Sequence, residues 1–142
     1  MSGYVVDASV VIKWLIDEPG SEQALKLRDH MVSAPDLLNS ECANIIWKKA
    51  RLGQITPAEA SVAARLLVRA DIELVRGHRL VGRAVEMAIA LDHSAYDCMY
   101  LALAEERLRP LVTADQRLVQ RLALRPEAAP LASAVDLAAF DA

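Results

Sequence analysis

Aromatic residues are scarce in this chain, at 4% of 142 positions, and only two residues are cysteines. Cys42 and Cys98 form no CxxC pair and no Cys/His spacing, which suggests neither zinc nor a disulfide framework. Each reads as a small buried side chain. No uninterrupted apolar run approaches the ~20 residues of a membrane span. The N-terminus lacks the basic-then-apolar order of a signal peptide, so a cytoplasmic protein is expected. There is no internal repeat and no low-complexity segment.

Apolar residues make up 54% of the chain, with much Ala, Leu and Val, which points to helix-rich packing. The length suits one domain, residues 1–142, able to bury a core. A net charge of −3 argues against a generally basic nucleic-acid binder. Without four acids singled out below, however, 16 basic residues face 15 acidic ones. A nearly neutral body with one acidic pocket is as consistent with that charge as ordinary solubility.

The organising stretch is Tyr4-Val5-Val6-Asp7-Ala8-Ser9-Val10-Val11. A short β-branched run ends in an acid, and then Val10, Val11, Trp14 and Leu15 take helical spacing. Asp7 therefore stands at the C-terminal end of a strand, where ligands bind in open α/β sheets. It is either an N-cap for the next helix or the first ligand of a site.

The first helix should end near residue 17, and a second should run from 21 to 31. An extended segment follows at 32–35, then a long helix over 36–52 closed by Gly53. Thr56, Pro57 and Glu59 open another helix as N-cap, first helical residue and capping-box partner. Residues 71–75 alternate polar and apolar, which predicts a strand at or near a sheet edge. Helices are expected over 80–91, 95–108 and 116–124, with a strand at 111–113 before the last. A final short strand is expected at 131–132, before a helical tail. Strands alternating with helices imply an α/β fold whose parallel sheet is covered on both faces.

Two further acids sit among apolar neighbours. Glu41 falls inside the helical arc of Leu37, Leu38, Ile45 and Leu52. Asp97 shares a stripe with Leu101, Ala104 and Leu108. An unpaired carboxylate at such positions costs several kcal/mol or stays protonated. The bland alternatives are a helix-face edge for Glu41 and a first-turn acid for Asp97. Asp115 follows a strand as Asp7 does, although Thr113-Ala114-Asp115-Gln116 also reads as a capping box. One shared cause explains all four: a divalent cation, Mg²⁺ or Mn²⁺, on oxygen ligands. Ser9 and Thr113, each two residues from a strand-end acid, are suited to holding a ligand water or orienting a carboxylate.

With these residues assembled, the chain resembles PIN-domain ribonucleases, specifically the VapC-type toxins of bacterial toxin–antitoxin pairs. The matching segments are Val5-Val6-Asp7-Ala8-Ser9, Leu37-Leu38-Asn39-Ser40-Glu41-Cys42-Ala43-Asn44, Tyr96-Asp97-Cys98-Met99-Tyr100-Leu101-Ala102-Leu103-Ala104 and Val112-Thr113-Ala114-Asp115. Their order and spacing extend the resemblance over essentially the whole chain, with no departure at the four acids. The resemblance implies a three-layer α/β/α PIN-like fold with a short, mostly parallel central sheet. It implies Mg²⁺- or Mn²⁺-dependent hydrolysis of RNA phosphodiesters by an activated water, with Asp7, Glu41, Asp97 and Asp115 as catalytic and metal-binding residues. It also implies a homodimer, silenced by a cognate antitoxin whose C-terminal segment covers the site.

An acidic pocket repels RNA until metal arrives, so basic residues must hold the substrate at the rim. Lys13, Lys48, Lys49 and Arg51 lie on the helices flanking Asp7 and Glu41, and Arg107, Arg109, Arg117, Arg121 and Arg125 form a second basic group. A solvated helix face is the better account of any one of them taken singly. Trp14 and Trp47 suit base stacking, though core or dimer packing suits them better. Asp17 and Asp92 read as ordinary helix-end residues. The rivals are a metal-dependent phosphatase of another α/β family and a catalytically silent RNA- or protein-binding PIN-like module. A haloacid-dehalogenase-type phosphatase wants a second Asp where this chain has Ser9, and a receiver domain wants a mid-chain Asp where this chain is helical.

Overall fold

Val5 and Val6 are fully buried because their strand lies in the middle of a five-stranded sheet. The computed structural model describes residues 3–141. Strand β1 (Gly3–Val6) leads into α1 (Ala8–Leu15) and α2 (Ser21–Lys26), followed by β2 (Met31–Pro35). Helices α3 (Leu37–Arg51) and α4 (Pro57–Arg69) precede β3 (Glu73–Val75). Helices α5 (Val81–Leu91) and α6 (Ala95–Arg107) lead to β4 (Leu111–Thr113), then α7 (Gln116–Leu124) and β5 (Ala134–Asp136).

The strand order is β3-β2-β1-β4-β5, and every pairing is parallel. Parallel strands need crossovers, and the helices supply them while covering both faces as an α/β/α sandwich. From β1 the chain steps one way to β2 and β3, then returns to the other side of β1 for β4 and β5. The direction of winding therefore reverses between β1 and β4. Such a switch point opens a crevice at the C-terminal ends of the strands. Asp7 follows β1 there and Asp115 follows β4.

Local chemistry explains most boundaries. Gly53 adopts φ +74° after α3, the left-handed stop that a glycine tolerates without strain. Thr56 and Glu59 form the expected reciprocal capping box on α4. Strand β3 lies at the sheet edge, as its alternation implied.

The structure departs from three expectations. The last strand is not at 131–132 but at Ala134–Asp136, paired Leu111↔Ala134 and Thr113↔Asp136. Leu131 is 67% exposed, and the Ala132 amide turns back to the Ala129 carbonyl at 3.0 Å. The helical tail is one 3₁₀ turn, Leu137–Ala139. The second helix stops at Lys26 rather than 31, because a 3₁₀ turn (Leu27–Asp29) lets Met31 pair with Gly3.

Candidate active site

The site is assembled around Asp7. Its residue is only 6% exposed, and it stands at the N-cap position of α1 without capping it by its side chain. Instead the carboxylate is held by hydroxyls: Ser9 Oγ donates to Oδ1 and Thr113 Oγ1 to Oδ2, each at 2.5 Å. Those hydroxyls are themselves fixed by backbone donors. The Ala114 amide donates to Ser9 Oγ at 2.9 Å and the Asp115 amide to Thr113 Oγ1 at 3.0 Å. The loop after β4 is thereby locked onto the loop after β1. Burial pushes the Asp7 carboxyl up to about 6, against the lowering effect of the two hydroxyls, and the nearby Asp97 charge adds to the rise.

Asp115 does two things at once. Its Oδ1 accepts from the Arg117 amide at 3.0 Å, so it caps α7, while Oδ2 lies 3.4 Å from His93 Nε2. Asp97, in the first turn of α6 behind the N-cap Ser94, meets the same ring nitrogen with Oδ2 at 2.8 Å. Ligand atoms of His93, Asp97 and Asp115 all lie within 4.8 Å of one another. Asp7 and Glu41 stand outside that tight group and connect to it through Thr113 and through the field of Asp97. Glu41 is half-buried on α3, where Tyr100 Oη donates to its Oε1 at 2.5 Å. Burial raises the Glu41 carboxyl despite that bond, and Asp97 raises it further.

The four acids thus gather at one mouth, although the cap explanation holds in part for Asp115. Among the described residues no Lys or Arg lies within 4.0 Å of any of their carboxylates. Repelling carboxylates with no lysine or arginine to offset them, one of them buried, form a set of hard oxygen donors that fits a divalent cation such as Mg²⁺ or Mn²⁺.

The basic residues fall differently from their reading as a free rim. Lys13 and Lys49 both bind Glu18, at 3.0 and 2.9 Å, which bridges α1 and α3. Lys48 and Arg51 are exposed, and the Arg51 guanidinium lies over the Trp47 ring at 5.6 Å. Trp47 is 56% exposed in the single chain, whereas Trp14 packs inside and donates to the Ala24 carbonyl at 2.6 Å. Arg107 pairs with Glu73, and Arg121 reaches the Asp92 carbonyl and His93. Burial pushes the Cys42 thiol up to about 12 and the Cys98 thiol to about 11, so neither is poised as a nucleophile.

Two residues at the mouth were not singled out from sequence: Tyr100 and His93. His93 lies four residues before Asp97, a spacing that brings two side chains together when the turn between them is helical. Tyr100 is buried yet carries a hydroxyl that needs a partner, and an acid on a facing helix supplies one.

Residues 4–123 match the PIN domain family. The chain belongs to the PIN-domain family. Within it the likeness is to VapC proteins: it is 33% identical over 122 residues to Ribonuclease VapC3 of Pyrobaculum aerophilum, covering 82% of this chain and 92% of that one. Among solved structures it resembles PAE2754, also from Pyrobaculum aerophilum, with a TM-score of 0.67, 26% identity and 84% of each chain covered. VapC20 of Mycobacterium tuberculosis, a sarcin–ricin loop cleaving toxin, shares the fold with a TM-score of 0.60 at 15% identity, over 76% of this chain and 86% of that one.

Proposed function

We propose that this protein is a divalent-metal-dependent endoribonuclease and the toxin of a toxin–antitoxin pair. The observation that carries the reading is the gathering of Asp7, Glu41, Asp97 and Asp115 at the switch point of a PIN-domain sheet, with one histidine, His93, and no lysine or arginine among the described residues beside them. Those four carboxylates would hold Mg²⁺, with Mn²⁺ as a substitute. Such a cation, when bound, offsets charge on phosphate oxygens and makes water a better nucleophile.

The rest falls to the chain's own residues. Ser9 and Thr113 hold both oxygens of Asp7, so this buried carboxylate acts as a fixed anchor. Capping engages Asp115 Oδ1 and leaves Oδ2 toward the mouth. Tyr100 occupies Glu41 Oε1 and His93 occupies Asp97 Oδ2, so Glu41 Oε2 and Asp97 Oδ1 are the oxygens suited to taking a proton from an attacking water. Exposed Lys48 and Arg51 are the rim cations best placed for an RNA backbone, with Lys13 and Lys49 tied to Glu18 in the absence of substrate.

The antitoxin reading rests on the relatedness to a VapC ribonuclease. Asp97 and Asp115 retain 31% and 26% side-chain exposure, an opening that a partner segment is able to cover. A homodimer is supported by the exposed apolar side chains Val81, Val85, Ile89 and Tyr96 on α5 and α6. Among the described residues no helix is long and apolar enough to cross a membrane.

The test is incubation of purified protein with total RNA in Mg²⁺ and, separately, in excess EDTA. Discrete cleavage ends in Mg²⁺ that vanish in EDTA support the reading. Cleavage that persists in EDTA removes the metal-dependent reading, and no cleavage in either condition favours the catalytically silent module.

A further inference from the structure

His93 sits at the one sharp corner between α5 and α6. The preceding Asp92 has φ +52°, in the left-handed region, and Ser94 caps the next helix, so the ring is set between two fixed points. Its side chain is 4% exposed. One ring nitrogen faces acids: Nε2 lies 2.8 Å from Asp97 Oδ2 and 3.4 Å from Asp115 Oδ2. The other faces a cation: Nδ1 lies 3.2 Å from Arg121 Nη1, which also donates to the Asp92 carbonyl.

Arginine has donors and no acceptor, so Nδ1 must accept. A proton on Nδ1 would point at a guanidinium N–H. The proton therefore resides on Nε2, the nitrogen directed at the two carboxylates. A histidine that ligates a metal through Nε2 needs that atom bare, and Arg121 opposes the tautomer that bares it.

We infer that His93, although its ring nitrogen clusters with Asp97 and Asp115, is not a ligand but a positioning residue, an Nε2–H donor that aligns the two carboxylates for the cation. Arg121 sets its tautomer. The connection is a closed loop. Asp115 caps α7, α7 carries Arg121, Arg121 grips the 92–93 corner, and His93 returns to Asp115 and Asp97. Helix α7 and helix α6 are thereby coupled at the mouth through one imidazole. This inference rests on the metal reading of the site, but its tautomer is testable without metal.

Two measurements test it on the full chain. Long-range ¹H–¹⁵N correlation spectra of the histidine rings, assigned through His93→Gln, should report an Nε2–H ring in metal-free protein and the same ring after Mg²⁺ is added. A switch to Nδ1–H with Mg²⁺ overturns the inference. Second, Mn²⁺ binding is followed by calorimetry. His93→Leu should bind about tenfold or more weakly, whereas His93→Gln, whose amide donates from a similar place, should stay within about threefold of wild type. Thermal melts establish that each variant folds. If His93→Gln loses as much affinity as His93→Leu, the ring is a ligand and the inference fails. If His93→Leu binds as wild type does, the ring has no role at the mouth. A wild type that binds no Mn²⁺ refutes the metal centre itself, a failure distinct from either of these.

Discussion

Tyr100 and Glu41 meet across the gap between α6 and α3, the phenol donating a 2.5 Å hydrogen bond to Oε1 of the glutamate. Both partners are drawn upward by burial: the Glu41 carboxyl rises, and the Tyr100 phenol rises well beyond its usual range. The phenol therefore stays protonated and the carboxylate has a permanent donor. Tyr100→Phe keeps the ring's packing and deletes only that donor. The expected result is a loss of about 1 kcal/mol in urea unfolding with a larger proportional loss of RNA cleavage, because Glu41 is no longer oriented. Unchanged cleavage would show that Glu41 acts independently of Tyr100.

Asp7 yields a pH prediction. Its folded carboxyl titrates at about 6, above the ordinary 3.8 of an unfolded chain. Between those values the folded state holds the extra proton, so metal-free stability should fall as pH rises from about 4 to about 6 and stay low beyond. Asp7→Asn removes the ionisation. At pH 8 in EDTA it should be more stable than wild type by roughly 2–3 kcal/mol. Mg²⁺ should then raise the Tm of wild type and leave that of the variant where it was. Chemical unfolding at several pH values, with and without Mg²⁺, checks both parts; an Asn variant less stable than wild type at pH 8 contradicts the account.

Glu18 is the opposite case. Its partial burial favours the neutral form, but hydrogen bonds from Lys49 and Lys13 outweigh that and lower the carboxyl. The bridge thus contributes stability above the unfolded carboxylate range and loses it as pH falls. Because it lies near the surface, Glu18→Gln should cost at most about 1 kcal/mol. It also frees two lysines, so RNA binding should tighten and become more salt-dependent, measurable by fluorescence anisotropy at a series of salt concentrations.

Lys48 follows Glu41 by seven residues, two turns along the same face of α3. It is exposed and free of the Glu18 bridge. Lys48→Ala should weaken RNA binding more than Lys49→Ala does and reduce the salt slope by about one. The reverse order would move the RNA track away from this face.

Much of this architecture is legible in the chain because its signals are local. A β-branched run ending at Asp7, the Thr56–Glu59 capping box and the Gly53 stop each act over a few residues, and the structure follows them. Glu41 and Asp97 stand out because helical periodicity sets them among apolar neighbours. Strand β5 escapes a sequence reading because three half-buried residues are too few to establish alternation, and its register comes from pairing with β4. The Glu18 bridge joins residues 31 apart in sequence, and a lysine's partner on another helix leaves no trace in composition. His93 falls between two helices and carries no periodic signal of its own. Its contact with Arg121 comes from a different element, α7, which local sequence does not reveal.

In the proposed function, carboxylates from separate elements act as one nuclease centre. The direct measurement is Mg²⁺-dependent cleavage of a defined RNA by wild type and by Asp97→Asn, at matched concentration and with folding verified by circular dichroism. The expected result is a folded Asp97→Asn protein with cleavage abolished. Equal cleavage by the two proteins would contradict it.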